Sequence, residues 1–198
     1  MSRRNFSSYR RPSLFFRKVF LLLLSLGLFL TGLLAVPAVH AQRGLLADAE
    51  MLHRVMPDAE TFSEKSGEPP VYRAYRRNAS GEPELVGYLF ETPDLPPEEI
   101  GYSAPIDVLV GMNLEGVLTG IQILDYRESY RSIRGDFLAT ERFPNQFEDK
   151  DIAEGFRVGR DVDGVSRATI SSWAVARGIR NAARRIAEAY LADAGFVA

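Results

Sequence analysis

Two consecutive strand–turn–strand patterns in the middle of the sequence constrain the fold more than any other feature. In the first, the alternating segment 71–77 is followed by the turn "NASGEPE" and a return segment, 85–91. In the second, the apolar segments 106–112 and 117–126 flank a turn at 113–116. Short apolar or alternating segments separated by glycine-containing turns are typical of β-hairpins. Two hairpins in succession predict a small antiparallel sheet.

Helical patterns stand on both sides of these hairpins. Before them, apolar residues recur near helical spacing over 45–56, and Pro57 ends the pattern. After them, residues 171–194 carry small and apolar side chains every three or four positions, with arginines mostly off that stripe. The sequence therefore predicts an α+β fold in which an N-terminal helix and a long C-terminal helix pack on the sheet. The polar stretch between them is less regular, and its segment "GDFLATERF" is compatible with a short helix.

The first 41 residues have the pattern of an export leader. Six basic residues precede an uncharged, leucine-rich run of 21 residues at 19–39, and "AVHA" then supplies the small residues of a cleavage site. This order is typical of a signal peptide, and an uncut run of this length is long enough to cross a bilayer. We therefore expect residues 1–41 to be a signal peptide or an N-terminal membrane anchor. Residues 42–198 would form an exported domain, in the periplasm or on the outer face of the cytoplasmic membrane.

The export route stays open, because "SRRNF" near the start resembles a twin-arginine signal while the leucine-rich run is equally typical of general secretion.

Composition limits the kinds of active site that the chain can form. The chain has no cysteine, and its two histidines are His40 and His53, which excludes iron–sulfur clusters and thiolate zinc sites and argues against a Ser-His-Asp triad. We expect no metal site and no catalytic residues, so any redox chemistry must come from a bound organic cofactor.

Charge argues against nucleic acid as a partner. Without residues 1–41, 18 basic residues remain against 26 acidic ones, a net charge of −8. A protein that binds the phosphate backbone of nucleic acids is normally basic. An acidic exported domain instead fits contact with other proteins or with the outside of a membrane.

The segment "DGVSRATISS" (163–172) gathers hydroxyl side chains and one arginine just before the long C-terminal helix. The first N–H groups of a helix have no partner within it, and the helix dipole is positive there. A phosphate group binds well at such a position. The simpler alternative is that one hydroxyl caps the helix, since Ser and Thr are common N-caps. Ser171 and Ser172 are the candidates for that role.

Residues 163–169, "DGVSRAT", resemble the flavinylation motif of the FMN-binding domain family, which reads D-G-hydrophobic-S/T-G-A-T. Members of that family include the RnfG and NqrC subunits of ion-pumping oxidoreductases and the exported N-terminal domain of NosR-type proteins, to which the resemblance is strongest. Six of the seven positions match, and Arg167 stands where glycine is usual. The resemblance implies FMN bound through its phosphate to Thr169, as a phosphoester that a flavin transferase of the ApbE type forms after export.

A second stretch, 101–129, is similar to the family's segment that contains the second hairpin. The resemblance implies that the loop after this hairpin lies beside the flavin ring, although Ser129 and Tyr130 depart from the family's pattern. The full set of implied cofactor-binding residues is Thr169 as the covalent site, with Asp163, Ser166, Arg167, Ala168, Ile170, Gly101, Tyr102, Ser103 and Glu128. For Tyr102 the structural alternative is a side chain at the edge of the core, and Trp173 is expected in the core.

Together these features predict an exported flavoprotein that works as an electron-transfer module rather than as a stand-alone catalyst. Its expected partners are the flavin transferase, a membrane-bound respiratory redox system and the bilayer itself through residues 19–39. A covalent bond would keep the cofactor on the protein outside the cytoplasm, where free FMN is not replenished. The alternative is a flavin-free exported module for assembly or sensing in a respiratory complex. Two departures from the family's pattern favour it, namely Arg167 and the altered segment after Glu128.

Overall fold

A five-stranded antiparallel sheet is the centre of the fold in the computed structural model, which describes residues 47–128, 131, 135–140 and 142–192. The strands lie side by side in chain order. The helices and strands are α1 (Ala49–Val55), β1 (Thr61–Phe62), β2 (Tyr72–Arg77), β3 (Pro83–Glu91), β4 (Ile106–Asn113), β5 (Leu118–Tyr126) and α2 (Thr169–Tyr190), with short 3-10 turns at Thr92–Asp94 and Pro144–Phe147. The predicted α+β fold is confirmed.

Both predicted hairpins are present, as β2–β3 and β4–β5, while some local predictions differ from the structure. The edge strand β1 has only two residues, too few to leave a periodic signal in the sequence, and it pairs through Thr61 with Tyr75. The described residues of "GDFLATERF" form turns rather than a helix. The predictions for residues 1–41, Ser129 and Tyr130 lie outside the described residues.

Strand β4 is buried along almost its whole length, because both faces of the sheet are covered. Successive side chains of a strand point to opposite faces. Accordingly, Val108 and Val110 pack in one hydrophobic cluster, while Leu109 packs in the other. The first cluster includes the buried residues of α2, and the second includes those of α1, so the two helices lie on opposite faces of the sheet.

Helix α1 approaches the sheet closely because two glycines face each other beneath its C-terminal end. Gly111 on β4 pairs with Gly120 on β5. A Cβ atom at Gly111 would lie 2.8 Å from Val55 Cγ1, and one at Gly120 would lie 3.0 Å from the Val55 carbonyl oxygen. Thr119 Oγ1 then donates a hydrogen bond to that carbonyl oxygen (2.8 Å), which satisfies a group that the helix itself leaves open.

Helix α2 packs on the other face through a stripe of small and β-branched side chains. Its fully buried residues include Ala176, Ile179, Ala183, Ile186 and Ala187. No helix among the described residues is both long enough and apolar enough to cross a membrane. Trp173 is 36% exposed, so the expectation that it lies in the core is wrong. Its position in the first turns of α2 falls outside the buried stripe.

The arginines of α2 hold two loops against the helix rather than only facing solvent. Arg184 Nε donates to the Ile152 carbonyl oxygen (2.8 Å), and Arg185 Nη1 donates to that of Pro96 (2.6 Å). Arg177 forms an ion pair of 3.0 Å with Glu99. The segment that leads to β4 is therefore attached along α2.

The small-residue stripe of α2 yields a stability prediction. We expect Ala183→Leu to lower the free energy of unfolding by about 1–3 kcal/mol, because the added carbons must fit between α2 and the sheet. Ala189→Leu is the matched control, since Ala189 is exposed on the same helix. Urea unfolding followed by circular dichroism measures both, and equal stability of the two variants would contradict the close packing.

Candidate functional site

The long helix α2 begins at Thr169, near the end of the segment 163–172, and no side chain caps it. Its N-cap residue is Ala168, and the first intrahelical bond runs from the Ser172 N–H to the Ala168 carbonyl oxygen (2.9 Å). The N–H groups of residues 169–171 therefore have no acceptor among the described residues. They leave a positively polarised helix end available to an anion.

Ser171 and Ser172 have other partners, so the prediction that one of them caps the helix is wrong. Ser172 Oγ donates to the Ala168 carbonyl oxygen (2.9 Å) and accepts the N–H of Val165 (3.0 Å), which fixes the preceding loop to the helix. Ser171 Oγ donates to Glu128 Oε1 (2.6 Å). The helix starts two residues earlier than predicted, so both serines already lie inside its first turn, past the capping position.

Glu128 joins three parts of the chain at this helix end. Its Oε1 accepts the Ser171 hydroxyl and also the N–H of Tyr102 (2.9 Å). Gly101 makes this arrangement sterically possible, because a Cβ atom there would lie 2.6 Å from Glu128 Oε1 and 2.9 Å from Ile106 Cδ1. One carboxylate thus holds together the end of β5, the loop before β4 and the first turn of α2.

An open pocket of about 340 Å³ lies beside the first residue of α2. Its lining consists of Tyr102, Glu128, Phe137 and residues 167–171. Thr169 is exposed at this pocket, and its hydroxyl has no hydrogen-bond partner among the described residues. The volume lies within the range of small-molecule sites in proteins. The fold therefore brings most of the predicted site residues, from three distant parts of the chain, around one opening.

The remaining predicted residues occupy other positions. Asp163 and Ser166 line a second pocket of about 440 Å³ on the same loop. Gly101 lies behind Glu128 rather than at the opening, and Ser103 is exposed in the neighbouring loop. Among the described residues, no group of three or more acidic or histidine side chains could hold a metal ion.

Sequence reasoning missed two residues that shape the site. Phe137 borders both pockets and packs edge-on against Tyr126, with ring centroids 5.5 Å apart. Gln146 holds the start of the segment 163–172, because its side chain accepts the Asp163 N–H (2.6 Å) and donates to the Asp163 carbonyl oxygen (3.0 Å). Both lie in the irregular stretch before that segment, where no periodic pattern marks a residue as structural.

Residues 101–184 match the sequence model of the FMN-binding domain. This part of the chain belongs to the FMN-binding domain family. The match spans β4, β5, the loop segment 163–172 and most of α2, which are the elements around the pocket at Thr169. FMN is the cofactor that the family identifies.

Three relatives of known type are similar to the chain over different lengths. The G subunit of a proton-translocating ferredoxin:NAD(+) oxidoreductase complex from Clostridium ljungdahlii is 25% identical over 154 residues, which are 75% of this chain and 76% of that protein. The G subunit of an ion-translocating oxidoreductase complex from Methanosarcina acetivorans is 27% identical over 143 residues, 67% of this chain and 71% of that protein. Protein NirI from Paracoccus denitrificans is 33% identical over 91 residues, 45% of this chain and 13% of NirI.

The residues of the FMN-binding domain fit a flavin nucleotide. The open N–H groups of residues 169–171 and the exposed guanidinium of Arg167 suit a phosphate group. Tyr102 and Phe137 supply aromatic surface of the kind that stacks with or borders a flat ring. The chemistry of the pocket therefore agrees with the cofactor of the family.

The backbone at Arg167 suits the glycine that the resemblance implies at the fifth motif position. Its φ is +64°, in the left-handed region that glycine adopts without steric cost. A residue with a Cβ atom pays about 1–2 kcal/mol for this conformation. The loop of this chain keeps the turn despite the arginine, whose side chain then reaches the lining of the pocket.

The left-handed backbone at Arg167 yields a prediction that distinguishes relief of backbone strain from loss of the guanidinium group. We expect Arg167→Gly to raise the free energy of unfolding of the flavin-free protein by about 1 kcal/mol, because glycine relieves the left-handed backbone. Arg167→Ala removes the same guanidinium but keeps the Cβ atom, so it serves as the control and should leave stability nearly unchanged. Thermal unfolding measures both variants, and a gain for alanine equal to that for glycine would contradict the backbone origin.

The steric role of Gly101 is tested by a pair of glycine substitutions. We expect Gly101→Ala to destabilise the protein by about 1–3 kcal/mol, because the new methyl group displaces Glu128 and breaks its bonds to Tyr102 and Ser171. Gly178→Ala in α2 is the control, since its Cβ atom would meet Glu99 at an ordinary 3.7 Å. Alanine favours helix there, so this variant should be neutral or more stable. A Gly101→Ala protein as stable as Gly178→Ala would refute the role of the glycine.

Proposed function

We propose that this chain is an exported flavoprotein that carries FMN on Thr169 through a phosphoester and transfers electrons with a membrane redox system. One observation carries the proposal. Ser171 and Ser172 donate their hydroxyl groups to other parts of the chain, whereas the exposed Thr169 hydroxyl has no hydrogen-bond partner among the described residues. Thr169 is also the residue that the motif resemblance implies as the modified threonine.

The attachment requires a donor and a transferase. In the proposed reaction the Thr169 Oγ1–phosphorus bond forms while the pyrophosphate bond of a flavin dinucleotide breaks. The nucleoside monophosphate leaves, and the hydroxyl proton passes to a base of an ApbE-type flavin transferase. We assign this base to the transferase because, within the described residues, no side chain accepts a hydrogen bond from Thr169 Oγ1. An exposed hydroxyl at an open helix end is accessible to such an enzyme.

Once attached, the phosphate would be held by groups of this chain. The N–H groups of residues 169–171 and the Arg167 guanidinium offset its negative charge. Ala168 leaves room beside the backbone, Ile170 supplies apolar contact, and Asp163 shapes the turn that precedes the helix. FMN, when bound, supplies one- and two-electron redox chemistry. Because the redox chemistry would come from the flavin, we assign electron transfer rather than stand-alone catalysis.

Tyr102 and Glu128 would set the surroundings of the ring. Tyr102 is 64% exposed, not at the edge of the core, and its main chain is held by Glu128. Gly101 permits that bond, and Ser103 continues the same loop. We infer that this loop lies against the flavin ring while Glu128 keeps it next to the motif.

A membrane partner follows from the kind of complexes in which the relatives are found. Two of them are subunits of proton- or ion-translocating oxidoreductases, and translocation takes place across a membrane. The leader at 1–41 would place residues 42–198 in the periplasm or on the outer face of the cytoplasmic membrane. A covalent bond would then prevent loss of the cofactor. FMN as the family's cofactor argues against the flavin-free alternative.

The covalent site is tested on a denaturing gel. We expect the exported protein, produced together with an ApbE-type transferase, to give a flavin-fluorescent band, because a phosphoester survives unfolding. Thr169→Ala should be dark. Ser166→Ala, three residues earlier in the same motif, is the control and should stay fluorescent. A fluorescent Thr169→Ala band, or a dark wild-type band with and without the transferase, would contradict the proposal.

A further inference from the structure

The large apolar side chains that are most exposed in the described part of the chain occur in two short segments. They are Ile100, Tyr102, Ile170 and Trp173, which are 54%, 64%, 55% and 36% exposed. Tyr102 and Ile170 line the same pocket, beside Thr169. Trp173 follows Ile170 by three residues on α2, so the two are neighbours on the helix surface.

Ile100 lies beside α2, because the residues before and after it in the sequence are both linked to that helix. Glu99 forms an ion pair with Arg177 (3.0 Å) and accepts a hydrogen bond from Asn181. Tyr102 is linked through Glu128 to Ser171. The segment therefore runs from the middle of α2 towards its first turn and passes the turn that carries Trp173. We call Ile100, Tyr102, Ile170 and Trp173 the apolar patch.

Three arginines lie near this patch, whereas the nearby carboxylates of Glu99 and Glu128 are engaged with groups of α2. Arg127, Arg142 and Arg167 are exposed and have no ion-pair partner among the described residues. Arg167 lines the pocket at the patch, Arg127 precedes Glu128, and Arg142 lines the second pocket on the other side of the motif. Unpaired cations here contrast with the net charge of −8 of residues 42–198.

We propose that the apolar patch and these arginines form a face that contacts the phospholipid surface of the membrane. Tryptophan and tyrosine favour the lipid–water interface, and arginine pairs with lipid phosphates. A stable protein complex buries about 800 Å² on each partner, far more than four part-exposed side chains offer. The same four side chains suffice for shallow insertion into a lipid surface.

The length of chain outside the structure supports the same occupant. Residues 19–39 are long enough to span a bilayer, and only residues 40–46 separate them from Ala47, where the described chain begins. Fully extended, those seven residues reach about 25 Å. Retained as an anchor, the run therefore holds the domain within about its own diameter of the bilayer. The contact is independent of flavin attachment, and it would place the pocket at Thr169 at the lipid–water interface.

Trp173 is the only tryptophan of the chain, so its fluorescence reports on the patch alone. The experiment uses the full chain with Thr169→Ala, which lacks the covalent flavin that would quench emission, reconstituted into vesicles of phosphatidylglycerol and phosphatidylcholine. We expect lipids with brominated acyl chains to reduce Trp173 emission about two-fold, and aqueous iodide to quench it less than in detergent. Emission that is insensitive to brominated lipid but fully accessible to iodide would overturn the proposal, and a protein surface would then be the remaining occupant.

Variants decide whether the patch itself makes the contact. We expect Ile170→Ser, and Arg127→Gln combined with Arg167→Gln, to weaken quenching by brominated lipid. Arg54→Gln on α1 is the control, because α1 lies on the opposite face of the sheet. Equal loss in the control and in the patch variants would overturn the proposal, since it would indicate general charge attraction. Circular dichroism of each variant verifies folding. Because the protein carries no flavin in this experiment, its outcome is separate from that of the gel test at Thr169.

Discussion

The burial of β4 on both faces is the constraint on which the rest of the structure depends. A strand whose side chains are apolar on both sides must be covered twice, so α1 and α2 pack on opposite faces of one sheet. The glycine pair Gly111 and Gly120 lets α1 approach, and the small residues of α2 let that helix approach from the other side. This arrangement brings the first turn of α2 to the ends of β4 and β5, where the candidate site lies.

At that point a single carboxylate organises the site. Glu128 accepts hydrogen bonds from the loop before β4 and from the first turn of α2, and Gly101 leaves the space it needs. Hydroxyls that would otherwise cap the helix are used elsewhere, by Glu128 and by the loop backbone. The helix end therefore keeps its N–H groups available next to Thr169. The absence of a cap, rather than its presence, is what makes this helix end suitable for a phosphate group.

Arg167 is the position at which this domain departs from the motif that it resembles. It takes a backbone conformation that favours glycine, and it adds an exposed cation to the pocket. Together with the exposed side chains of Tyr102 and Ile170, it adds a cation and apolar surface to the pocket of an otherwise acidic domain. Cofactor binding and contact with a membrane surface would thus share one end of the molecule.

The sequence by itself determined the two hairpins, the two helices and the segment that carries Thr169, because these depend on local periodicity, turn residues and a contiguous motif. Only the tertiary structure decided which hydroxyl is free, that Trp173 is exposed, and that Phe137 and Gln146 shape the site. These properties depend on contacts between residues far apart in the chain, such as Glu128 with Ser171 and Gln146 with Asp163. Hydrogen bonds of that kind leave no periodic trace in a sequence, since either partner is an ordinary polar residue until the fold places the other beside it.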